Sequence, residues 1–144
     1  MNKVLFSSLV ILMSNSLFGQ DQNVSADSSS QNGKVYFMRS TGFQGSASAF
    51  TVFIDDTLVC KLNNKRYSIH EVAPGTHHFS SQFAGKKSKE KAERIEINVE
   101  AGKTYYIELI FQPGLFINNL YCQEVTESSA KRFLPDLKED KKCL

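Results

Sequence analysis

The sequence predicts an all-β protein: an antiparallel β-sandwich of about seven to eight strands, immunoglobulin- or prealbumin-like, with a short C-terminal helix. Three observations predict it. Between Phe50 and Phe79, short runs of β-branched, aromatic and aliphatic residues are interrupted by Asp55-Asp56, Asn63-Asn64 and Pro74-Gly75, pairs that reverse a strand. Ile95, Ile97 and Val99 alternate with Glu96 and Asn98, and Tyr105, Ile107, Leu109 and Phe111 with Tyr106 and Glu108, so each run has one apolar and one solvated face. Ala130, Phe133 and Leu134 fall on one side of a helical turn that Thr126 can cap and Pro135 ends.

Taken in order, the chain opens as an export signal. Lys3 supplies a positive start, Val4 to Met13 a mostly apolar run, and Gly19 a small residue at which cleavage is expected. Residues 1–19 are therefore read as a signal peptide, and a periplasmic or extracellular location is expected. The run is far shorter than the roughly 20 residues that cross a bilayer as a helix, so no membrane span is expected. No lipid-accepting cysteine lies near the cleavage site. Residues 20–33, rich in Ser, Asp, Asn and Gln, have little to bury and read as a flexible leader.

Residues 34–135 form the expected β-sandwich domain. Val35 to Arg39 has strand composition, Gly42 to Ala49 is a loop of small residues, and strands follow at 50–54, 57–62, 66–72 and 76–83. The alternating pair at 95–99 and 105–111 is joined through Ala101-Gly102. Pro113-Gly114 ends its second member, and 120–125 makes the last strand. The helix after Thr126 is expected as a lid over an open end of the sandwich. Residues 136–144 read as a charged, mobile tail.

With 17 basic and 15 acidic side chains the net charge is +2, and loss of Lys3 with the signal lowers it by one. Such a balance gives no reason to expect nucleic acid or a strongly acidic substrate.

Several blocks, in order, resemble a known family. Val35-Tyr36-Phe37-Met38-Arg39 with Gly42-Phe43, then Val52-x-Ile54-Asp55, Tyr67, Pro74-Gly75-x-His77 and Gly102-Lys103-x-Tyr105-Tyr106 are similar to the bacterial family catalogued as domain of unknown function 2846. The likeness spans residues 34 to 130. The Pro-Gly-x-His element also resembles that of PEGA-type surface β domains. The resemblance implies an exported β-sandwich and carries over no established catalytic residue. The chain departs from the family at Asp56, where a turn glycine is usual. It also lacks the lipid-accepting cysteine that many relatives carry.

Residues with chemical potential are few. His77 and His78 are adjacent on a strand and leave on opposite faces, so they are poorly placed to share an ion, and His70 would come from a neighbouring strand. Solvated or hydrogen-bonded histidines are expected instead. The three cysteines leave at least one thiol unpaired within the chain. Cys60, in line with Leu58 and Leu62, and Cys122, in line with Leu120, read as small core residues. A disulfide between them is feasible if their strands face each other, and the partner of Cys143 stays open. Gly42 to Ser46 lacks the lysine and following helix of a phosphate-binding loop. Ser46 and Ser48 have no recognisable triad motif. Gly85 to Arg94 is a basic hairpin tip, diluted by Glu90 and Glu93, that suits at most weak contact with anionic surfaces. Leu115-Phe116-Ile117 is an apolar run at a loop, expected to fold back into the core; exposure there would indicate docking.

No catalytic, cofactor-binding or metal-binding residue is assigned, and no cofactor is expected. The expected function is that of an exported, non-enzymatic module that binds a protein or cell-envelope component. A structural piece of a surface assembly, or an enzyme whose site converges from several strands, are the alternatives.

Overall fold

The computed structural model describes residues 31–43, 45–83, 94–115 and 118–143. The signal segment, leader residues 20–30 and residues 85–93 of the basic hairpin lie outside the described residues.

Among the described residues there are nine strands: β1 (Gly33–Arg39), β2 (Phe50–Ile54), β3 (Thr57–Leu62), β4 (Arg66–Val72), β5 (Gly75–Phe83), β6 (Ile95–Val99), β7 (Thr104–Gln112), β8 (Asn119–Val125) and the short β9 (Lys138–Glu139). Helix α1 (Glu127–Phe133) and a 3-10 turn (Leu134–Asp136) lie between β8 and β9. The strands form two sheets, ordered β8-β7-β1-β4-β9 and β3-β2-β5-β6. The β-sandwich is as expected, but two of its strand pairs are parallel rather than antiparallel. β1 pairs in parallel with β7, Tyr36 opposite Tyr106 and Phe37 opposite Ile107, and β4 pairs in parallel with β9. Local alternation specifies the faces of a strand but not the direction of its neighbour.

The core lies between the sheets. Val35 and Phe37 of β1, Ile107 and Leu109 of β7, and Leu120 and Cys122 of β8 meet Phe50 and Val52 of β2, Cys60 and Leu62 of β3, Phe79 of β5, and Ile97 and Val99 of β6. The alternating pattern along β6 and β7 places Ile97 inside at 6% exposure and leaves Glu96 in water. Phe50, Phe83 and Phe111 form an aromatic cluster with ring centroids 5.4–5.7 Å apart.

Helix α1 does not cap an open end. It lies on the outer face of the five-stranded sheet, where Ala130, Leu134 and Leu137 pack with Met38, Tyr36, Tyr67 and Tyr106. Those tyrosines stand on adjacent strands with Tyr36 5.1 Å from Tyr106 and 6.0 Å from Tyr67 between centroids, a hydrophobic strip that the helix covers. Thr126 caps the helix as expected, its side chain accepting from the Ser129 N–H, and Lys131 pairs with Glu127 at 2.7 Å.

The charged C-terminal segment is docked rather than free. β9 extends the sheet beside β4, and the Asp140 N–H donates to the Tyr67 carbonyl at 2.8 Å. Cys143 then forms a disulfide with Cys60, Cα–Cα 4.9 Å, while Cys122 keeps a buried free thiol. The feasible Cys60–Cys122 bridge is thus not the one formed. Cys122 pairs in register with Leu109 in the opposite sheet, whereas the chain returning along β4 places Cys143 against Cys60. Closing a loop with a sequence separation of 83 removes chain entropy worth about 4.5 kcal/mol in the chain-entropy model.

The placement of β6 gives a direct expectation. Ile97→Asp buries a carboxylate with no cationic partner and should destabilise the fold by roughly 3 kcal/mol or more. Glu96→Lys loses only an exposed contact to His78 and should be nearly neutral. Thermal melts of the two variants check this, and equal melting temperatures would contradict the assignment of faces.

Candidate functional site

Three places concentrate polar or unusually exposed groups. The first is at the end of the sandwich where β2 turns into β3. Asp55 and Asp56 both adopt positive φ, 49° and 62°, the conformation of a two-residue hairpin turn that glycine accepts more easily. The family departure at Asp56 is therefore accommodated in the left-handed region, and its carboxylate is engaged by the Arg94 guanidinium. Asp55 is the hub. Its Oδ1 accepts from the His78 backbone N–H at 2.9 Å, and its Oδ2 lies 2.6 Å from His77 Nδ1. The other nitrogen of His77 lies 2.9 Å from the Ala73 carbonyl. The Asp55 motif and the Pro74-Gly75-x-His77 motif thus meet, and His77 ties the β2–β3 turn to the β4–β5 turn.

Gly75 permits this by taking φ 137°, which L side chains rarely adopt. As expected, His77 and His78 leave on opposite faces: His77 faces Phe79 and the core rim, while His78 reaches Glu96 at 3.2 Å on the solvent side. The His78 backbone bond, then the His77 side chain, hold the Asp55 carboxyl below the ordinary aspartate range. With both His77 nitrogens engaged and Asp55 about half exposed, at 48%, the arrangement works as a clamp between turns.

The second place is the sheet edge where β3, β4 and the C-terminal segment meet. His70 comes from β4 on the core-facing side, edge-on to Phe37 at 5.5 Å, with Ser68 Oγ 3.0 Å from its Nε2. Burial pushes its pKa down. An open cavity of about 430 Å³ is lined by Ser68, His70, Asp140 and Cys143 among others. His70 therefore lies with the disulfide and far in register from His77. The disulfide from Cys143 to Cys60, not visible in the sequence, creates this neighbourhood.

The third place is the opposite end from the Asp55 clamp. Because β1 and β7 are parallel neighbours, the loops that follow them leave at the same end. Phe43 in the first loop and Leu115 in the second are each 97% exposed. The expectation that the apolar run beginning at Leu115 folds into the core is corrected at Leu115; Phe116 and Ile117 lie outside the described residues. Pro113-Gly114 directs the chain away from the Phe111 cluster before Leu115 can reach it.

The loop that carries Phe43 is held from below. Arg39, 0% exposed, donates from Nη1 to the Leu62 carbonyl and from Nη2 to the Gly45 carbonyl, both at 2.6 Å. Its guanidinium carbon stands 3.4 Å over the Phe50 ring. Burial pushes the Arg39 pKa down to about 10, which leaves it charged at neutral pH. Asn64 adds a second tie, accepting from the Thr41 N–H and donating to the Thr41 carbonyl, both at 2.9 Å. Sequence reasoning read Arg39 as an ordinary strand residue. The available signal was its parity: Arg39 alternates onto the same face as Val35 and Phe37.

Among comparisons with known proteins, the pattern defining a family described as "Protein of unknown function (DUF2846)" matches residues 29–119. No curated protein matches the chain. Among the described residues, no helix is long and apolar enough to cross a membrane.

Acid stability tests the clamp. A carboxyl whose folded pKa is depressed contributes stability that is fully present above its unfolded value near about 3.9 and lost as pH falls through its folded value. Between about pH 4 and pH 2 the native chain should therefore lose melting temperature more steeply than Asp55→Asn, which cannot titrate. Parallel curves for the two proteins would show that Asp55 carries no such linkage.

Proposed function

We propose that this chain, which belongs to the DUF2846 family of proteins of unknown function, is an exported, non-enzymatic module that binds a protein or another cell-envelope component through the loop end of its sandwich. The observation that carries the reading is the pair of large apolar side chains, Phe43 and Leu115, held in water on loops leaving the same end. Single exposed apolar residues are ordinary, but two large ones at 97% exposure on loops leaving the same end are side chains that a docking partner would cover. Arg39 and Asn64 support the same reading, because they brace the Phe43 loop against β3 and β4 and reduce the entropy lost on docking.

The export half of the proposal rests on the Lys3, apolar run and Gly19 arrangement. Protein recovered from the cell envelope or medium should begin at about Gln20. An intact Met1 on protein confined to the cytosol would overturn it.

The docking half is tested by capture from envelope extract with the chain and with a Phe43→Ser, Leu115→Ser double variant. Loss of two central apolar contacts should weaken the captured interaction by at least about tenfold, with melting temperature unchanged. Equal capture by both proteins would remove the loop end as the binding surface. Loss of binding to protein-free vesicles instead would identify the lipid surface as the envelope component.

A further inference from the structure

We propose that Cys60, His70 and Cys143 form a binding site for a thiolate-preferring cation of the zinc class, closed while the two cysteines are disulfide-bonded and opened by their reduction. This goes beyond the loop-end reading and is independent of it.

The three residues converge from different parts of the chain: Cys60 from β3, His70 from β4 and Cys143 from the segment after β9. One candidate ligand atom from each lies within 4.8 Å of the other two. A tetrahedral zinc ion with sulfur at about 2.3 Å and nitrogen at about 2.0 Å sets its ligand atoms about 3.5–3.8 Å apart. Opening the disulfide lets the sulfurs move from bonding distance toward that spacing, with little demand on the backbone. Two thiolates and one imidazole are the donor set that zinc takes in preference to magnesium or calcium.

The surroundings suit an ion as well. His70 is packed against Phe37, and Ser68 Oγ lies at its Nε2; with Nε2 so engaged, Nδ1 would be the nitrogen offered to the ion. The fourth coordination position would face the cavity of about 430 Å³, whose lining includes Asp140 and Glu139. Three protein ligands with an open, cavity-facing position correspond to a site that can admit water or an exogenous ligand.

The chemistry balances with a dithiol as reductant. The dithiol transfers two electrons and two protons to the Cys60–Cys143 disulfide, becoming a disulfide itself and leaving two cysteine thiols. Zinc binding then releases the two thiol protons to solvent as the sulfurs ligate as thiolates. Cys122 takes no part: it is buried on the opposite sheet, and burial pushes its thiol up to about 12.

The test uses the chain in a Cys122→Ser background, so that the only thiols are those of the site. It is titrated with zinc in its oxidised form and after reduction by a phosphine that carries no thiol. One equivalent of zinc should bind the reduced chain and none the oxidised chain. Cobalt in place of zinc should show thiolate-to-metal charge transfer. His70→Ala should weaken zinc binding by at least about tenfold, and Cys143→Ser should abolish it. If the reduced chain loses its circular dichroism without metal, recovery on adding zinc supports the site, and failure to recover overturns it. Zinc binding of equal strength in His70→Ala would reduce the site to a nonspecific dithiol and overturn it also.

Discussion

The parallel pairing of β1 with β7 is the constraint on which most of this structure depends. It puts β1 in the middle of the five-stranded sheet, where both of its faces must be covered. Val35 and Phe37 are covered by the second sheet, and Tyr36 and Met38 by the helix that follows β8. The same pairing aligns Tyr36 with Tyr106 and so creates the aromatic strip on which α1 lies. It also sends the loops after β1 and β7 out at one end, which is why Phe43 and Leu115 stand at the same end of the sandwich although far apart in the chain. Removing the parallel register would separate the two loops and uncover the strip together.

Two charged residues near the ends of the sandwich are handled by opposite physical means. Arg39 is taken out of water with no carboxylate paired to it among the described residues. Two backbone carbonyls and an aromatic face replace its hydration, while its Nε finds no partner among the described residues. Such an arrangement is costly, and the guanidinium offsets part of that cost by bridging the Gly45 loop and the end of β3 at Leu62. Asp55 remains in water and gains its influence from geometry. A reversed turn aims its carboxylate at a backbone N–H and at an imidazole on the next hairpin. One end of the molecule is therefore braced by a buried cation, the other by an exposed anion.

The C-terminal segment decides how the open edge is finished. After α1 and its 3-10 turn, the chain lays β9 along β4 and reaches across to β3 through Cys143. Edge strands of both sheets are thereby tied to one segment, which limits their use as templates for pairing with other chains. The cost of ordering these residues is offset by the loop that the disulfide closes. The pairing of β9 with β4 and the Asp140 N–H bond to the Tyr67 carbonyl hold this segment beside β4 independently of the disulfide, which keeps Cys143 near the cation site proposed there.

The amino-acid sequence by itself determined whatever is encoded within a few residues. Alternation at Ile95 to Val99 and Tyr105 to Phe111 set which side chains face inward. Asp55-Asp56, Asn63-Asn64 and Ala101-Gly102 set where the chain reverses, and Thr126 set where the helix starts. The burial of Cys60 and Cys122 was likewise legible from the parity of their strands. The clamp was legible only as two separate motifs, Asp55 and Pro74-Gly75-x-His77, because nothing local says that their turns meet. Tertiary structure alone decided the parallel partner of β1, the outer-face seat of α1, the carbonyl partners of Arg39, the exposure of Leu115 and the choice of Cys143 over Cys122 as partner of Cys60. Each of these depends on which strands become neighbours. That outcome follows from closing two apolar faces over one another across long sequence separations, and no window of adjacent residues contains it.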